Sequence, residues 1–356
     1  MKIALLAHIR HPIAEPFKGG MEAHTSLLAN QLIKRGHDVY LLASGDSQTQ
    51  AKLVPIIDRH YDADLPWHQF HATQALFDLQ TRVFEYAFEQ IKQLKPDVIH
   101  NNSLHHDAIK HAYGGMWPML SAMHVPPFEY LKQATQSYCA PYLRYSAASD
   151  VHLSQWAFGQ LPACTIYNGV STEIDADQPV HSGALWVGRI ARTKGLEYAI
   201  DACVLAGMPL RILGPIEEQD YFDQQIYPRL KRHLGITYEG IVSSSHVRCA
   251  MAGAEVLVFT PVWPEPFGLV AAESLMQGTP VAGFNSGAVS EVVTDCGVVV
   301  PARDTRALAQ AIRAAVKISR SHCRAQALKR FSADTMVSGY EREYQRAIEA
   351  RRALSS

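Results

Sequence analysis

The chain has 356 residues, which is too long for one ordinary hydrophobic core and fits two domains of average size. Hydrophobic residues make up 47% of it and charged residues 19%, so the composition excludes a disordered chain. The formal net charge is -1, and residues 1–170 carry 13 basic against 14 acidic side chains, which excludes the basic excess of a nucleic-acid-binding protein.

Short apolar runs alternate with helical patterns along the chain, as they do in parallel sheets with crossover helices. The first unit predicts a strand over residues 3–7, a helix over 21–35 ended by Gly36, and a strand over 39–43. The later strands predicted in the first half cover residues 98–100, 119–123 and 165–167.

The same rhythm restarts after a polar stretch at residues 169–183. The elements predicted there are strands over residues 184–187, 210–213, 256–259 and 280–283, with helices over 196–206 and 270–277. We therefore predict an α/β protein with two doubly wound parallel-sheet domains. The predicted boundaries are residues 1–168 for the first domain, 169–183 for a hinge, 184–332 for the second domain, and 333–356 for a C-terminal helix that can cross back to the first.

The six cysteines and the N-terminal sequence indicate the cellular compartment in which the protein is expected. The cysteines form no C-x-x-C pair and no spacing typical of a zinc knuckle or a disulfide framework, which favours a reducing cytoplasm. The opening apolar run is shorter than the core of a signal peptide, and no later run approaches the roughly 20 residues that span a bilayer. We expect a cytoplasmic protein without an integral membrane segment, and a homodimer stays open.

The most informative stretch reads FTPVWPEPFGLVAAESLMQGTPVAG. Glu265 follows a predicted strand, the next helix opens at Phe267, Gly268 and Leu269, and Glu273 lies about two helical turns further on. Backbone N–H groups at a helix N-terminus can bind ligand oxygens, and carboxylates accept hydrogen bonds from sugar hydroxyls. The alternative is a proline-rich turn followed by an ordinary helix with a solvated glutamate.

A basic loop follows the first strand of the second half, in the sequence VGRIARTKGLEYAI. Arg189 and Lys194 would place two cations beside a helix N-terminus, which is unfavourable unless an anion such as a diphosphate binds there. Arg192 is a third candidate cation. An exposed basic loop without a ligand is the alternative.

Gly19 and Gly20 open the first long helix of the chain. A double glycine there permits the close approach of a phosphate or an acceptor oxygen, although a flexible turn would explain it equally. The spacing is not G-x-G-x-x-G, which argues against a dinucleotide-dependent dehydrogenase.

His124 ends an apolar predicted strand and precedes Val-Pro-Pro, so it is expected in a loop that opens into a crevice. Asn101 and Asn102, after another predicted strand, are candidates for lining an acceptor site. Thirteen of the 17 histidines precede the predicted hinge, and most of them are expected on the surface.

Two patterns could suggest a metal site. His100, His105, His106 and Asp107 form the first, but the adjacent His105 and His106 are expected to point to different faces and the spacing fits no common ligand set. The two D-x-D strings, which begin at Asp62 and Asp175, do not follow apolar strands and are expected in solvated turns. No metal site is predicted.

Taken together, these segments resemble the retaining GT-B glycosyltransferases of family 4. KGGMEAH, His124, YNGV, VGRIARTKG, the E-x7-E element from Glu265 to Glu273, and PVAGFNSGAVSEVV occur in the family's order over most of the chain. Ala288 stands where the family often has a second glycine, and Ser274 where alanine is usual. The resemblance implies two Rossmann-like domains that face each other across a cleft.

The resemblance also implies an activity, the transfer of a hexose from a nucleotide diphosphate sugar to a small-molecule or glycan acceptor. The first candidate donor is a UDP-sugar and the second a GDP-sugar. The resemblance further implies that the anomeric configuration is retained and that no metal cofactor is required. The implied site residues are Arg189, Lys194, Glu265 and His124 as catalytic; Gly20, Phe267, Gly268, Leu269, Glu273 and Gly214 as donor-binding; and Gly19, Asn101, Asn102 and His124 as acceptor-binding. The rival hypotheses are a GT-B phosphorylase or nucleotide-sugar epimerase, a non-catalytic sugar-nucleotide-binding module, and an enzyme at a membrane surface.

Overall fold

A computed structural model of the chain describes residues 1–173 and 183–354. It divides into two compact units, one made of Met1–Gly169 with Ala333–Ser356 and one made of Val170–Ser332. Most of the predicted hinge, and with it the second D-x-D string, lies outside the described residues.

The first unit contains a parallel seven-stranded sheet with the order β3-β2-β1-β4-β5-β6-β7. Its strands are β1 Lys2–Leu6, β2 Asp38–Ser44, β3 Lys52–Ile57, β4 Val98–Asn101, β5 Met119–Met123, β6 Leu143–Ala147 and β7 Ala163–Thr165. Its first helices are α1 Gly20–Lys34, α2 Trp67–Phe70, α3 Gln74–Leu94, α4 His106–Gly114, α5 Glu129–Ser137 and α6 Asp150–Trp156. Buried apolar residues cover both faces of this sheet.

The second unit contains a parallel six-stranded sheet with the order β10-β9-β8-β11-β12-β13. Its strands are β8 Ala184–Val187, β9 Leu210–Leu213, β10 Ile236–Gly240, β11 Val256–Phe259, β12 Val281–Phe284 and β13 Gly297–Val300. Its helices are α7 Leu196–Ala206, α8 Gln219–Tyr221, α9 Tyr227–Arg232, α10 Ser244–Gly253, α11 Leu269–Met276, α12 Val289–Val293, α13 Thr305–Ala315 and α14 Arg320–Phe331. The predicted α/β class with two doubly wound parallel sheets is confirmed.

The last helix, α15 (Ala333–Ala353), belongs to the first unit. Its buried Tyr344 hydroxyl lies 2.7 Å from Nδ1 of His100 at β4. The Arg35 guanidinium, just after α1, donates to the carboxylates of Asp334 and Glu341. Aromatic packing and ion pairs therefore hold α15 against the first sheet.

The predicted strand over residues 165–167 is wrong by two residues, because the parallel ladder with β6 runs from Tyr145–Ala163 to Ala147–Thr165 and ends where β6 ends. The strands and helices predicted between residues 184 and 283 lie within one residue of their observed bounds. Among the described residues, no helix combines the length and the apolar composition needed to cross a bilayer.

Each sheet reverses its winding between two neighbouring strands, β1 and β4 in the first unit and β8 and β11 in the second. In open α/β sheets, ligands bind outside the carboxyl ends of the strands at such a reversal. The loops that follow these four strands are therefore where a functional site is expected.

Candidate functional site

A lysine–glutamate pair lies at the reversal point of the second unit. Lys194 closes a short 3-10 turn after β8, and Glu265 lies in the loop between β11 and α11. The Lys194 Nζ atom is 2.7 Å from Oε2 of Glu265, and the indole Nε1 of Trp263 donates to the same oxygen at 2.8 Å. The ammonium group also lies 5.1 Å from the centre of the Trp263 ring, within cation–π range.

The main chain on both sides of this pair is fixed by short contacts. Thr260 Oγ1 donates to the carbonyl of Lys194 at 3.0 Å and accepts from the Trp186 indole at 3.2 Å. Ala288 N–H donates to the Glu265 carbonyl at 2.8 Å. Gly287 has φ +60°, and a Cβ there would lie 2.2 Å from that carbonyl oxygen, so the close approach requires glycine.

The pair is shielded from most of the solvent, with the Lys194 side chain 19% exposed and the Glu265 side chain 11%. An ammonium group has three donors and a carboxylate has about four acceptor positions. Each group can therefore form further hydrogen bonds to a ligand in addition to their mutual contact. A cation and a carboxylate at one position can bind phosphate oxygens and sugar hydroxyls side by side.

Glu273 lies on α11, which begins after Gly268 in the left-handed conformation at φ +95°. Among the described residues, its carboxylate forms no hydrogen bond or ion pair. Burial raises the pKa of Glu273 to about 7, and nearby Arg248 opposes that shift. A carboxyl group that can both donate and accept near neutral pH suits a pair of vicinal hydroxyls.

At the start of α11, the predicted ligand-binding residues Phe267 and Gly268 pack against other aromatic side chains. Phe267 is 2% exposed, and its ring packs edge-on against Phe331 at 5.4 Å. A Cβ at Gly268 would lie 3.1 Å from the Phe259 ring. Phe267 is therefore a core side chain, so a ligand would contact this residue through its main chain.

The Arg189 side chain pairs with Glu217 rather than with Glu265, the partner of Lys194. Its guanidinium donates to both carboxylate oxygens of Glu217, and its side chain is 44% exposed. Arg192 in turn lies 2.6 Å from an oxygen of Asp220. The structure brings together Lys194 and Glu265, while the diphosphate role of Arg189 stays a prediction.

Gly214 has a packing role at the end of β9. Its φ is +134°, and a Cβ there would lie 2.0 Å from the Gly188 carbonyl oxygen at the end of β8. The two strand ends can approach this closely only because Gly214 has no side chain. Its contact with a donor stays a prediction.

In the first unit, Asn102 orients His124. The Asn102 Oδ1 atom lies 2.9 Å from Nε2 of His124 and 2.9 Å from Nε2 of His100, and the Asn102 amide nitrogen donates to Thr25 at 3.2 Å. Since an amide oxygen only accepts, both imidazoles carry their proton on Nε2. His124 therefore presents Nδ1 as an acceptor.

Asn101 and Asn102 are both buried, at 3% and 0% exposure. The Asn101 amide donates to Ser121 at 3.0 Å, and its oxygen accepts from the Ser103 hydroxyl at 2.6 Å. These amides thus hold the ends of β4 and β5 together. Direct contact of Asn101 or Asn102 with an acceptor stays a prediction.

His8, His24 and His100 belong to the same site as His124. The sequence analysis assigned none of them to it and considered His100 only as a metal ligand. The His24 ring lies 4.6 Å from that of His124, and His8 is close enough to lower the pKa of His124. Burial lowers the pKa of His8, His24 and His100 to about 3, and that of His124 well below its ordinary value. The concentration of histidines in the first half was the available signal, and these four act as neutral hydrogen-bonding groups.

The predicted double glycine sits at the start of α1. Gly20 is the first residue of the helix, and Gly19 precedes it in extended backbone without a side-chain cap. A Cβ at Gly19 would lie 3.0 Å from a carboxylate oxygen of Glu22. Roles for Gly19 and Gly20 toward acceptor and donor stay predictions.

Among the described residues, two groups place potential metal-ligating atoms within 4.8 Å of one another: His105, His106 and Asp107; and Asp295, Cys296 and His322. The expectation that His105 and His106 diverge is wrong, because their ring centres are only 4.4 Å apart. His105 caps α4 and accepts from the Asp107 N–H, so it does not follow the helical direction of His106.

The described D-x-D string is bound to neighbouring groups. Asp62 lies 3.2 Å from Arg10 and accepts from the Trp67 N–H at 2.9 Å, while Asp64 pairs with Arg59. These contacts explain both carboxylates as parts of the first unit's surface structure.

Acidification is expected to destabilise the first unit. The unfolded chain protonates His24 and His100 near pH 6.5, whereas burial lowers their folded pKa to about 3. Stability from neutral burial is complete above pH 6.5 and is lost as the pH falls toward 3, on the order of 2 kcal/mol per histidine by pH 5. Urea unfolding at pH 7.5, 6 and 5 measures this loss.

His24→Leu is the matched variant for this test. Within the described part of the chain, Nδ1 of His24 has no hydrogen-bond partner and Nε2 has only a 3.5 Å contact with the Tyr340 hydroxyl. Its stability should fall less steeply with acid, whereas exposed His68→Leu should follow the parent chain. Equal slopes in all three proteins would contradict the burial argument.

Known protein families match both units. The model of "Glycosyltransferase Family 4" matches residues 18–174, and that of "Glycosyl transferases group 1" matches residues 182–317. The chain is 27% identical over 345 residues to a glycogen synthase of Mycobacterium tuberculosis, covering 83% of this chain and 82% of the synthase.

Two further similar proteins are described together with a nucleotide. A GDP-mannose-dependent alpha-(1-6)-phosphatidylinositol dimannoside mannosyltransferase of M. tuberculosis is 29% identical over 151 residues, which is 40% of this chain and 38% of that enzyme. The crystal structure of Anabaena Alr3699/HepE in complex with UDP superposes with a TM-score of 0.72 at 19% identity, covering 96% of this chain and 99% of that one.

Proposed function

The chain belongs to the GT-B glycosyltransferases of family 4, and from that premise we propose that it moves a hexose from a nucleotide diphosphate sugar to a small-molecule or glycan acceptor. We further propose that the anomeric configuration is retained and that no metal is needed. The observation that carries the proposal is the Lys194–Glu265 pair at the reversal point of the second sheet.

The donor is assigned to the second unit. Lys194, with Arg189, neutralises the charge that grows on the diphosphate as the sugar leaves. Glu265 and the main chain of residues 267–269 hold the transferred sugar, and Glu273 binds the ribose hydroxyls. The UDP complex of the Anabaena protein supports a UDP-sugar as the first candidate donor, and the name of the mannosyltransferase supports a GDP-sugar as the second.

The acceptor is assigned to the first unit, near His124 and the start of α1. A neutral His124 with Nδ1 free of the Asn102 contact can accept a hydrogen bond from an acceptor hydroxyl. For same-face attack, the departing phosphate takes the acceptor proton as the new glycosidic bond forms and the sugar–phosphate bond breaks. A cationic histidine is not required in this scheme.

A nucleotide-sugar screen by thermal shift, followed by an assay for acceptor-dependent UDP or GDP release, tests the proposal. Release of nucleotide together with a glycosylated product supports a transferase. Interconversion of the donor without release would indicate an epimerase, a requirement for inorganic phosphate would indicate a phosphorylase, and binding without turnover would indicate a binding module.

Activity is expected to survive chelation, because Lys194 supplies a cation at the proposed diphosphate position. Turnover should be unchanged after dialysis against EDTA and should not respond to added magnesium or manganese. Loss in chelator with recovery on adding either ion would refute metal independence. His106→Gln would then test the group formed by His105, His106 and Asp107.

A further inference from the structure

Three aromatic side chains form a cluster on the surface of the first unit, which we call the aromatic platform: Phe77, His106 and Tyr130. The His106 side chain is partly buried, at 23% exposure. The ring centres are 5.7 Å apart for Phe77 and His106, 6.4 Å for Phe77 and Tyr130, and 5.9 Å for His106 and Tyr130. Tyr130 is 64% exposed and Phe77 39%. Large apolar groups grouped on a surface, rather than scattered singly, mark a binding site.

The platform lies on the ligand-binding edge of the sheet. Its members come from the first turns of α3, α4 and α5, and these helices follow β3, β4 and β5. In a parallel sheet, the helix after each strand begins at the carboxyl edge, which is the edge that carries His124. Three helices thus bring one ring each to the same side of the unit.

Histidines lie next to both the platform and His124. The His106 ring centre lies 4.4 Å from that of His105, and the His24 ring centre lies 4.6 Å from that of His124. The platform and the proposed acceptor position thus share the carboxyl edge of the first sheet.

Polar groups beside the platform have a specific chemistry. Gln74 lies 2.6 Å from the Asp78 carboxylate on α3, and Gln133 lies 2.6 Å from the Glu129 carboxylate on α5. All four side chains are exposed. Amide–carboxylate pairs suit sugar hydroxyls, whereas an anionic lipid surface would call for lysine and arginine at the rim.

We propose that the aromatic platform is an acceptor subsite that stacks against the C–H face of a sugar ring, so that the acceptor is a glycoside or an oligosaccharide. The proposal rests on the proposed transferase function and narrows its acceptor class. A sugar ring presents one apolar face and a hydroxyl edge, and the platform with its two amide–carboxylate pairs provides a partner for each.

Binding of the full chain to an array of α- and β-linked di-, tri- and tetrasaccharides tests the subsite without requiring turnover. The parent chain should bind at least one glycan series, and Tyr130→Ala and Phe77→Ala should each weaken that binding at least tenfold. Tyr86→Ala is the matched control, because Tyr86 is an exposed tyrosine on α3 that is 49% exposed and outside the platform. Thermal unfolding checks that each variant is folded.

Absence of glycan binding by the parent chain, or equal binding by all variants, would overturn the proposal. Binding to phosphatidylinositol-containing vesicles that is lost in Tyr130→Ala would also overturn it, in favour of a lipid surface. UDP and GDP binding is measured on the same preparations. If neither nucleotide binds the parent chain, the transferase proposal fails, whereas nucleotide binding without glycan binding refutes the subsite alone.

Discussion

Lys194→Ala is expected to lower turnover by a factor on the order of 10² or more, which is the scale for removing one preorganised charge from a transition state. The Nζ atom is held by Glu265 at 2.7 Å and lies 5.1 Å from the centre of the Trp263 ring, so the charge is positioned by the protein itself. Steady-state kinetics with the donor and acceptor identified by the screen measure the loss.

The structure also predicts an effect of Lys194→Ala on folding. The carboxylate of its partner Glu265 is only 11% exposed, and leaving that carboxylate without its cation is costly. We therefore expect a measurable fall in thermal stability as well. Lys194→Arg keeps a cation beside Glu265 and provides a folded comparison.

Arg211→Ala is the matched control, because Arg211 also loses an ion pair, with Glu239 at 2.7 Å, but on the strands β9 and β10. It should retain near-full turnover. Arg189→Ala is expected to lose activity on the same scale as Lys194→Ala. Full activity in Arg189→Ala would confine the diphosphate cation to Lys194, and full activity in Lys194→Ala would refute its role.

Most of the strands that could be predicted from the sequence are inner ones. β8 and β11 are almost fully buried and therefore read as continuous apolar runs. β3, β6, β10 and β13 were not predicted, and three of these four, β3, β10 and β13, are edge strands. β10 alternates buried and exposed positions, and β3 contains Pro55, as edge strands commonly do.

The predictable part of the site follows from chain topology. Lys194 and Glu265 could be assigned to one site because they follow strands that doubly wound sheets place next to each other. The Trp263 contact, the pairing of Arg189 with Glu217 and the inward orientation of Asn102 depend on side-chain direction. Sequence spacing does not determine that direction in loops, so these contacts required the structure.

Substitutions of Glu265 and Glu273 are expected to change different kinetic constants. Glu265 is assigned to the sugar that reacts, whereas Glu273 is assigned to the ribose, which does not react. Glu265→Gln should mainly lower kcat, on the order of 10² for a contact made at the reacting centre. Glu273→Gln should mainly raise the donor KM, as a loss of binding shared by ground and transition states does. Their surroundings already differ: Glu265 contacts Lys194 and Trp263, whereas burial raises the pKa of Glu273 to about 7.

Calorimetry with free UDP and GDP separates these two roles without an acceptor. A nucleotide diphosphate has the ribose but lacks the sugar, so its affinity should fall in Glu273→Gln and scarcely change in Glu265→Gln. Glu239→Gln is the control, because its carboxylate pairs with Arg211 away from the proposed site. Because Glu265 also holds Lys194, a moderate loss of nucleotide affinity in Glu265→Gln that disappears in the Lys194→Ala background would report that ion pair. The assignment of the two glutamates would be wrong if both glutamine variants weakened nucleotide affinity equally, both in the parent chain and in the Lys194→Ala background.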